Sequence, residues 1–388
     1  MEVRLVSQPE EFAALHSAWN TLQRRLRRPS PFLTHEWFDA AWQWREQGAH
    51  LHVLCCFRGQ DLVGVLPFLR QTSSVEHGGS RTLKFLAVPD TQVCDVLAAD
   101  TDRLPVASAL ADELVRRQRE WDAIALNYLP DGAIALIELR QALLRHGLRC
   151  DIRQATQNPW IALDSDWETY YSSRSRRLKK AVNLATNRLS KTGDVGLHWL
   201  QPGEGDAAEV DSQIDRITAI SARSWKTSTG NSLDNAGPQA FVRRLSQHAH
   251  RMRCLSVWTL TLNKTPIAME LQLIDDGCVF ALRSDFDAAY EAISPGSYLN
   301  RYMLAKLFGR GLRRYLMGPG ENIYKYRWSD DAEPVGTMTI YGHSMRGRWL
   351  AARELVLKPA ARRIRDVFRP PRSKEAAPPE TSNLDNAT

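Results

Sequence analysis

Two stretches half a chain apart share one pattern of apolar and polar positions. Residues 52–68 and residues 256–271 each contain two apolar runs of strand-forming side chains, joined by a short polar turn. Two such runs with a turn between them predict a β-hairpin. Aligning Val53 with Val257 brings the second runs into register as well, without a gap. This equal spacing indicates a duplicated domain.

The rest of the pattern predicts strands mixed with helices. In the first half it predicts strands at 3–6, 82–87, 121–127 and 148–153 and helices at 9–26, 35–47, 104–119 and 132–146. In the second half it predicts helices at 173–190, 209–223, 238–250 and 298–308 and strands at 254–262, 266–274, 278–284 and 313–317. Mixed elements with an antiparallel meander before a helix indicate a layered α/β (α+β) fold, with mixed antiparallel and parallel sheets flanked by helices.

The length of 388 residues favours two domains, which we place at residues 1–155 and 156–345. Residues 346–369 read as a basic amphipathic helical segment. The proline-containing residues 370–388 read as a disordered tail.

The net charge of +7 is concentrated near the end of the chain. Residues 346–374 carry +8, residues 375–388 carry −3 and residues 1–345 only +2. This distribution makes a nucleic-acid partner unlikely for the body of the protein. The basic amphipathic segment predicts either a peripheral contact with anionic lipid or ordinary packing on the second domain.

The sequence contains no pattern of a membrane span, a secretory signal or a metal site. No run of roughly 18 apolar residues occurs, and the first residues lack the order of a signal peptide. The six cysteines show no CxxC spacing. We therefore expect a cytoplasmic protein with buried free thiols and no metal.

The turn Ser294-Pro295-Gly296-Ser297 opens the predicted helix at 298–308. Ser294 is suited to cap the helix, Pro295 presets φ, and Gly296 allows a ligand to approach the backbone closely. The N–H groups and positive dipole end of such a helix suit a pyrophosphate. The alternative is a capped helix with no ligand.

The second half also resembles a known family. The family's pattern is approximately Tyr-Asp, Ser-Pro-Gly, an apolar helix, Gly, a strand and Gly-x-x-x-Tyr-Lys. The chain resembles the GNAT-related bacterial acetyltransferases often labelled BioF2-like or CelD-like, which are related to the FemAB transferases. The matching residues are Phe286-Asp287, Tyr290, Ser294-Pro295-Gly296, Gly311, Gly318-Pro319-Gly320, Tyr324-Lys325, Ser224-Trp225-Lys226, the basic run 174–180 and Asp95.

The resemblance implies two tandem GNAT-like domains, with acetyl-CoA or another acyl-CoA held by the second. Ser294, Pro295, Gly296, Ser297 and Lys325 would hold this co-substrate, and Tyr324 would act as the acid. Asp287, Tyr290, Trp225, Lys226 and Asp95 would lie on the acceptor side. The family often has an acidic residue in the strand before Gly318, where this chain has Leu316-Met317.

Acyl transfer to an amine needs a base, and Glu270 is the candidate in the middle of a predicted strand next to the cofactor helix. The alternative is a half-exposed acid on a solvated sheet face. Trp225 is either a stacking platform for a sugar or a core residue. The cations of the helix at 173–190 crowd its N-terminus and oppose the dipole. They predict an anionic partner or a solvated face.

The leading hypothesis is N-acyl transfer from acyl-CoA to the amino group of a small metabolite or an amino sugar, the latter linked to polysaccharide synthesis. One alternative is a FemAB-like transferase that uses aminoacyl-tRNA. The other is a non-catalytic protein that keeps the GNAT shape to bind a partner.

Overall fold

A computed structural model of the chain describes residues 1–72 and 79–358. Its strands are β1 (Glu2–Val6), β2 (His50–Arg58), β3 (Asp61–Thr72), β4 (Arg81–Phe85), β5 (Leu97–Ala98), β6 (Ala123–Leu129), β7 (Arg149–Ala162), β8 (Val195–Leu200), β9 (Leu255–Leu262), β10 (Thr265–Asp275), β11 (Cys278–Phe286), β12 (Arg314–Leu316) and β13 (Asp331–Tyr341). Its α-helices are α1 (Pro9–Ala14), α2 (His16–Gln23), α3 (His35–Arg45), α4 (Arg103–Arg116), α5 (Arg140–Arg145), α6 (Trp167–Ser173), α7 (Arg176–Thr192), α8 (Ala207–Ser221), α9 (Ala236–Arg251), α10 (Pro295–Leu307), α11 (Lys325–Trp328) and α12 (Met345–Ala352).

The strands form one mixed sheet in the order β1-β2-β3-β4-β6-β13-β7-β12-β11-β10-β9-β8, with β5 added at β3. Each half begins with an antiparallel four-stranded meander, β1–β4 or β8–β11. In each half a helix then leads to a strand that runs parallel to the last one, β6 or β12. The two halves therefore repeat one topology, as the two matching hairpins predicted. The predicted α/β (α+β) fold class is confirmed.

Local turn chemistry explains why the second meander forms. Asn263 and Lys264 connect β9 to β10, and Asp276 and Gly277 connect β10 to β11; all four have positive φ. Two central residues with positive φ characterise the two-residue turn whose twist matches an antiparallel hairpin. Gly adopts this conformation without strain, and Asn and Asp tolerate it better than most residues.

The cores of the two halves are continuous. Trp37 of α3 packs edge-on against Phe241 of α9, with ring centroids 5.3 Å apart. These residues join the first-half core to the face of the second half that α8 and α9 cover. A second core lies between α7, α10 and the other face of the second-half strands. The halves thus pack as one body around a common sheet.

The domain boundary drawn from the sequence, between residues 155 and 156, lies within β7, which runs from Arg149 to Ala162. The residues of β13 belong to the second predicted domain, and in the sheet this strand lies between β6 and β7. Residues 153–155 of β7 are exposed and lack the apolar alternation that indicates a strand, so the sequence did not predict that β7 continues to Ala162. The strands β8 and β13 were not predicted either.

The segment that follows the sheet is only partly described. α12 and the π-helical residues Arg353–Leu357 leave several large apolar side chains exposed, those of Met345, Trp349, Val356 and Leu357. Residues 359–388, including the predicted disordered tail, lie outside the described residues. Contact of this segment with a lipid surface stays a prediction. In the described ranges, no helix combines the length and apolarity that crossing a bilayer requires.

The pairing of β13 with both β6 and β7 can be tested with fragments. We expect a fragment of residues 1–155 to show no cooperative unfolding transition, because β6 and the start of β7 lose the backbone partners that β13 supplies. Circular dichroism during urea titration would measure this. A fragment of residues 1–358, which keeps every described element, is the control and should unfold cooperatively. Cooperative unfolding of the short fragment would contradict the prediction.

Candidate functional site

A cavity opens where two parallel strands of the second half separate. β11 and β12 pair only between Cys278–Phe280 and Arg314–Leu316. β11 continues to Phe286, whereas the chain after β12 turns away through Gly318, which has a φ of 80°. Residues 281–284 therefore lack a neighbouring strand on this side, and they line a cavity of about 250 Å³.

A loop of the first half closes one side of this cavity. Residues 86–96 follow β4, and Pro89, Asp90 and Gln92 of this loop line the cavity. The Gln92 side-chain amide donates to the Ala281 carbonyl at 2.8 Å and accepts from Asn158 at 3.2 Å. A side chain thus satisfies a backbone group of β11 that a neighbouring strand would otherwise pair.

A buried ion pair joins the two halves at the cavity wall. The Arg283 guanidinium on β11 donates to Asp90 Oδ2 at 2.8 and 3.0 Å and to the Asn231 carbonyl at 2.7 Å. Burial raises the pKa of Asp90, and the charge of Arg283 opposes this rise. Both side chains are almost fully buried, so each depends on the other for compensation of its charge.

Glu270 is buried at the same cavity and is not a half-exposed surface acid. The Tyr315 hydroxyl donates to its Oε1 at 2.5 Å, and the Gln272 amide donates to the same oxygen at 2.7 Å. Burial raises the pKa of Glu270 to about 7, although hydrogen bonds to its carboxylate oppose the rise. A carboxyl with such a pKa can exchange a proton near neutral pH.

Tyr324 and Lys325 also line the cavity. Burial raises the pKa of Tyr324, and the negative charges of Glu270 and Asp285 add to the effect, so its phenol is protonated at neutral pH. Burial, together with the charge of Lys226, lowers the pKa of Lys325 to about 8. The Lys325 ammonium donates to the carbonyls of Gly318 and Pro319 at 2.7 and 3.2 Å. Lys325 thus holds the turn after β12 as well as facing the cavity.

Lys226 lines the cavity, and both Lys226 and Trp225 line a hollow next to it. The Lys226 ammonium contacts Asp285 Oδ1 at 2.5 Å and donates to the Ser284 carbonyl at 3.1 Å. Trp225 is 47% exposed and therefore is not a core residue. With Trp44 of the first half it lines a second hollow of about 420 Å³, which shares Pro89, Lys226 and Asn231 with the cavity.

The turn at Ser294 begins α10 but differs from the predicted cap. Ser294 has a φ of 54°, in the left-handed region, and its side chain makes no capping hydrogen bond. Pro295 occupies the first helical turn as predicted. A Cβ on Gly296 would meet only Phe286 Cδ1, at 3.7 Å. The fold itself therefore does not require glycine at this position. Ser297 follows in the same turn, and none of the four residues lines the cavity.

Four residues predicted on the acceptor side, Asp287, Tyr290, Trp225 and Asp95, lie outside the cavity lining. Asp287 accepts from the Ala289 N–H at 3.0 Å and from Arg223 Nε at 2.6 Å, so it caps the short helix that follows. Tyr290 packs against the second core.

Asp95, in the first half, likewise has a structural role. Its carboxylate accepts hydrogen bonds from the backbone N–H groups of Val96, Ile134 and Ala135 at 2.7 to 2.9 Å. Both carboxylate oxygens therefore bind groups of the protein's own backbone. Burial raises the pKa of Asp95 to about 6.

Several residues of the cavity were not predicted from the sequence. Tyr315 is one of them. It stands two positions before Met317, and because alternate residues of a strand share a face, the pattern of this strand could have indicated Tyr315. The strand that lacks the family's acid thus presents a tyrosine to Glu270. Nothing local in the sequence indicated the other missed residues, which are Asp90, Gln92, Arg283 and Asn300.

The basic helix α7 buries an apolar stripe of Leu178, Val182, Ala185 and Leu189. Ala181 is exposed. Arg174, just before α7, contacts Asp330 at 2.5 Å. Arg177 is exposed at the N-terminal turn, so the predicted crowding of cations there is present.

Comparison with known proteins finds a family match in the second half of the chain. Residues 174–326 match the family model described as "Acetyltransferase (GNAT) domain". This segment contains the cavity strands, α10 and the Tyr324-Lys325 pair. No curated protein matches the sequence significantly. The BioF2-like or CelD-like assignment stays a prediction.

Solved structures share the fold at low sequence identity. FemX has a TM-score of 0.52 and 11% identity, over 92% of this chain and 100% of that chain. The C-terminal domain (DUF2156) of an Agrobacterium fabrum protein named as a lysylphosphatidylglycerol synthetase has a TM-score of 0.51 and 10% identity, over 87% of this chain and 95% of that chain. A tandem GNAT protein from the clavulanic acid biosynthesis pathway has a TM-score of 0.48 and 10% identity, over 88% and 100%. The chain thus has the mixed α/β fold that it shares with FemX and the Agrobacterium fabrum domain.

The ion pair between the halves allows a stability test. We expect Asp90→Asn to lower the free energy of unfolding by about 3–5 kcal/mol, because it leaves the Arg283 charge buried without its counter-ion. Urea denaturation would measure the change. Asp276→Asn, which removes one partner of the exposed pair with Arg313, is the matched control and should cost about 0–1 kcal/mol. Equal effects of the two variants would contradict the assigned role.

Proposed function

We propose that this protein transfers an acyl group from acyl-CoA to an amino group of a small acceptor. The observation that carries the proposal is the gap between β11 and β12, with the N-terminus of α10 following β11 in the GNAT-matching segment. Acyl-CoA contains an extended chain with two amide groups and a pyrophosphate. A strand edge without a neighbour and a helix N-terminus offer partners of the matching kind.

Within this proposal, residues 281–284 of β11 would pair with the amide-containing arm of the co-substrate. The turn from Ser294 to Ser297 would hold the pyrophosphate. Gly296 supports this role because the fold does not require glycine there, whereas close approach of a phosphate to the backbone does. Lys325 supports it indirectly, since it fixes the turn at Gly318 that opens the gap.

Glu270 would act as the general base. It faces the cavity, and its pKa of about 7 allows it to take a proton from an ammonium acceptor, directly or through one water molecule. Tyr324 would act as the acid that protonates the departing thiolate, since its raised pKa keeps the phenol protonated. The amine attacks the thioester directly, and the chain's own residues need no covalent intermediate.

The acceptor would enter through the hollow between Trp44 and Trp225, which borders the cavity at Lys226. The exposed indole of Trp225 suits the apolar face of a sugar ring, so an amino sugar fits this hollow best. A small amine-containing metabolite is the broader class. FemAB-like use of aminoacyl-tRNA is a less supported alternative, because residues 1–345 carry a balance of only +2.

A thermal-shift measurement tests cofactor binding without an acceptor. We expect saturating acetyl-CoA to raise Tm by a few degrees, since a ligand at about 100 times Kd stabilises the native state by about 2.7 kcal/mol. Gly296→Asp should abolish this shift. Its carboxylate repels the pyrophosphate, whereas an acid in the first turn of a helix does not destabilise that helix.

The matched control for this test is Ala236→Asp. It adds the same charge near the start of α9, at an exposed position away from the cavity. The control variant should keep the full shift. No shift of the wild-type protein by acetyl-CoA would contradict the proposal and would favour a non-catalytic GNAT-shaped protein.

The raised pKa of Glu270 predicts two pH dependences. With an amine acceptor, kcat/KM should rise with pH through a midpoint near 7. Glu270→Gln should remove this limb and lower the rate about 10²- to 10⁴-fold. Thiol release from acetyl-CoA, with a panel of amino sugars and small amines, would measure it. Because Asp95 also has a raised pKa, of about 6, Asp95→Asn is the control and should keep the limb.

The second dependence needs no acceptor. The native state holds a proton on Glu270 between the ordinary pKa of 4.5 and about 7, where the unfolded state has released it. Stability of the wild type should therefore fall relative to Glu270→Gln as pH rises through this window, by up to about 3 kcal/mol. A pH-independent difference between the two proteins in urea denaturation would show that Glu270 does not titrate there.

A further inference from the structure

A third hollow lies beside α10, away from the cavity between the strands. This groove, of about 420 Å³, lies between α10, the edge strand β8 and its neighbour β9. Tyr298, Tyr302 and Lys306 are four residues apart along α10, so they share one face of the helix and line the groove together. Asn300, which lines the cavity, lies on a different face of the same helix.

The opposite wall of the groove is a pair of stacked indoles. Trp199 of β8 and Trp258 of β9 are cross-strand partners whose ring centroids are 4.4 Å apart, with an angle of 11° between the planes. Trp258 is fully buried, so it backs the ring of the half-buried Trp199. The wall is thus a flat aromatic surface of the kind that stacks against sugar or base rings.

Buried hydrogen bonds fix this wall in place. Trp199 Nε1 donates to Ser256 Oγ at 2.9 Å, and Ser256 Oγ donates to Gln272 Oε1 at 3.1 Å. Trp258 Nε1 donates to the same Gln272 oxygen at 3.2 Å. Both indole N–H groups are therefore satisfied inside the protein, and neither ring needs to reorient when a ligand stacks. Such preorganisation lowers the entropic cost of binding.

The rim of the groove is positively charged. Lys306 and Arg310 are both exposed, and the described residues that line the groove include no acid. The Arg310 guanidinium lies over the Trp199 ring, 5.1 Å from its centroid. A ligand ring that stacks on Trp199 would move this exposed side chain aside, and the guanidinium could then pair with an anionic group of that ring.

We propose that this groove is a second ligand site, which binds a ring with a flat face and a negative charge. Sugar phosphates and mononucleotides both have this chemistry, and the volume lies within the range of small-molecule sites. The ring would stack on Trp199 between that residue and the tyrosines, and its phosphate would pair with Arg310 and Lys306. The site is separate from the proposed acyl-transfer cavity and does not depend on that function.

Ligand-observed saturation-transfer NMR and calorimetry on the full-length protein would test the site. The probes are glucose 1-phosphate and AMP, with glucose and adenosine as neutral counterparts. We expect saturable binding of at least one anionic probe and about 10-fold weaker binding of its neutral counterpart, because a charge-assisted contact is lost. The relative affinity of the two anionic probes shows whether the site prefers a sugar phosphate or a mononucleotide.

Variants then locate the binding. Arg310→Ala should weaken the anionic probe about 10-fold, and Lys306→Ala should weaken it to a smaller extent. Arg216→Ala removes an exposed cation from α8, outside the groove, and should leave the affinity unchanged. Because AMP could also occupy a cofactor site, Gly296→Asp is included, and it should not alter binding in the groove.

Two results would overturn the proposal. One is the absence of saturable binding of either anionic probe up to about 10 mM, a concentration that detects affinities weaker than 1 mM. The other is binding that Gly296→Asp abolishes and Arg310→Ala does not change, which would place the probe at the cofactor site. Binding in the groove together with no thermal shift by acetyl-CoA would support this site and contradict only the acyl-transfer function.

Discussion

The backbone pairing of β13 with β6 and β7 is the interaction on which the rest of the molecule depends. β13 lies late in the sequence, yet it is hydrogen-bonded between two strands that both precede the GNAT-matching segment. This pairing joins the two meanders into one sheet. It also fixes the first half beside β12, so that the loop at residues 86–96 reaches the gap between β11 and β12. The position of the cavity follows from that arrangement.

The cavity exists because the sheet is interrupted there, and an interrupted sheet leaves polar groups that need partners. Gln92 and Lys325 satisfy carbonyl groups at the two sides of the gap. Asp90 and Arg283 compensate each other's charge, and Lys226 contacts Asp285. The result is a polar cavity at which burial raises the pKa of Glu270. The same burial that costs stability gives this carboxyl a pKa suited to proton transfer.

The two halves use the same topology differently. In the first half, the loop after β4 packs against β6, the strand parallel to β4, and the Cys94 N–H donates to the Tyr128 carbonyl at 2.9 Å. Asp95 accepts hydrogen bonds at the start of the helical segment that follows β6. The first half thus fills its own gap and contributes residues to the other one. The second half leaves its gap open and has a Ser-Pro-Gly turn at the following helix, where the first half has Leu104-Pro105.

The sequence by itself determined the two matching hairpins, the helix after Ser294, the strand position of Glu270 and the presence of Tyr324 near the site. These features have local signatures: alternation of apolar residues, turn residues that accept positive φ, and short motifs. Only the tertiary structure decided which strands become neighbours. The middle of β7 is exposed and polar and shows no alternation of apolar and polar residues. The pattern therefore could not predict that the sheet continues across the proposed domain boundary. Asp90 and Arg283 are 193 residues apart, and Glu270 and Tyr315 are 45 apart. Contacts at such separations leave no periodicity in the chain, because they depend on how folded elements pack and not on the order of their residues.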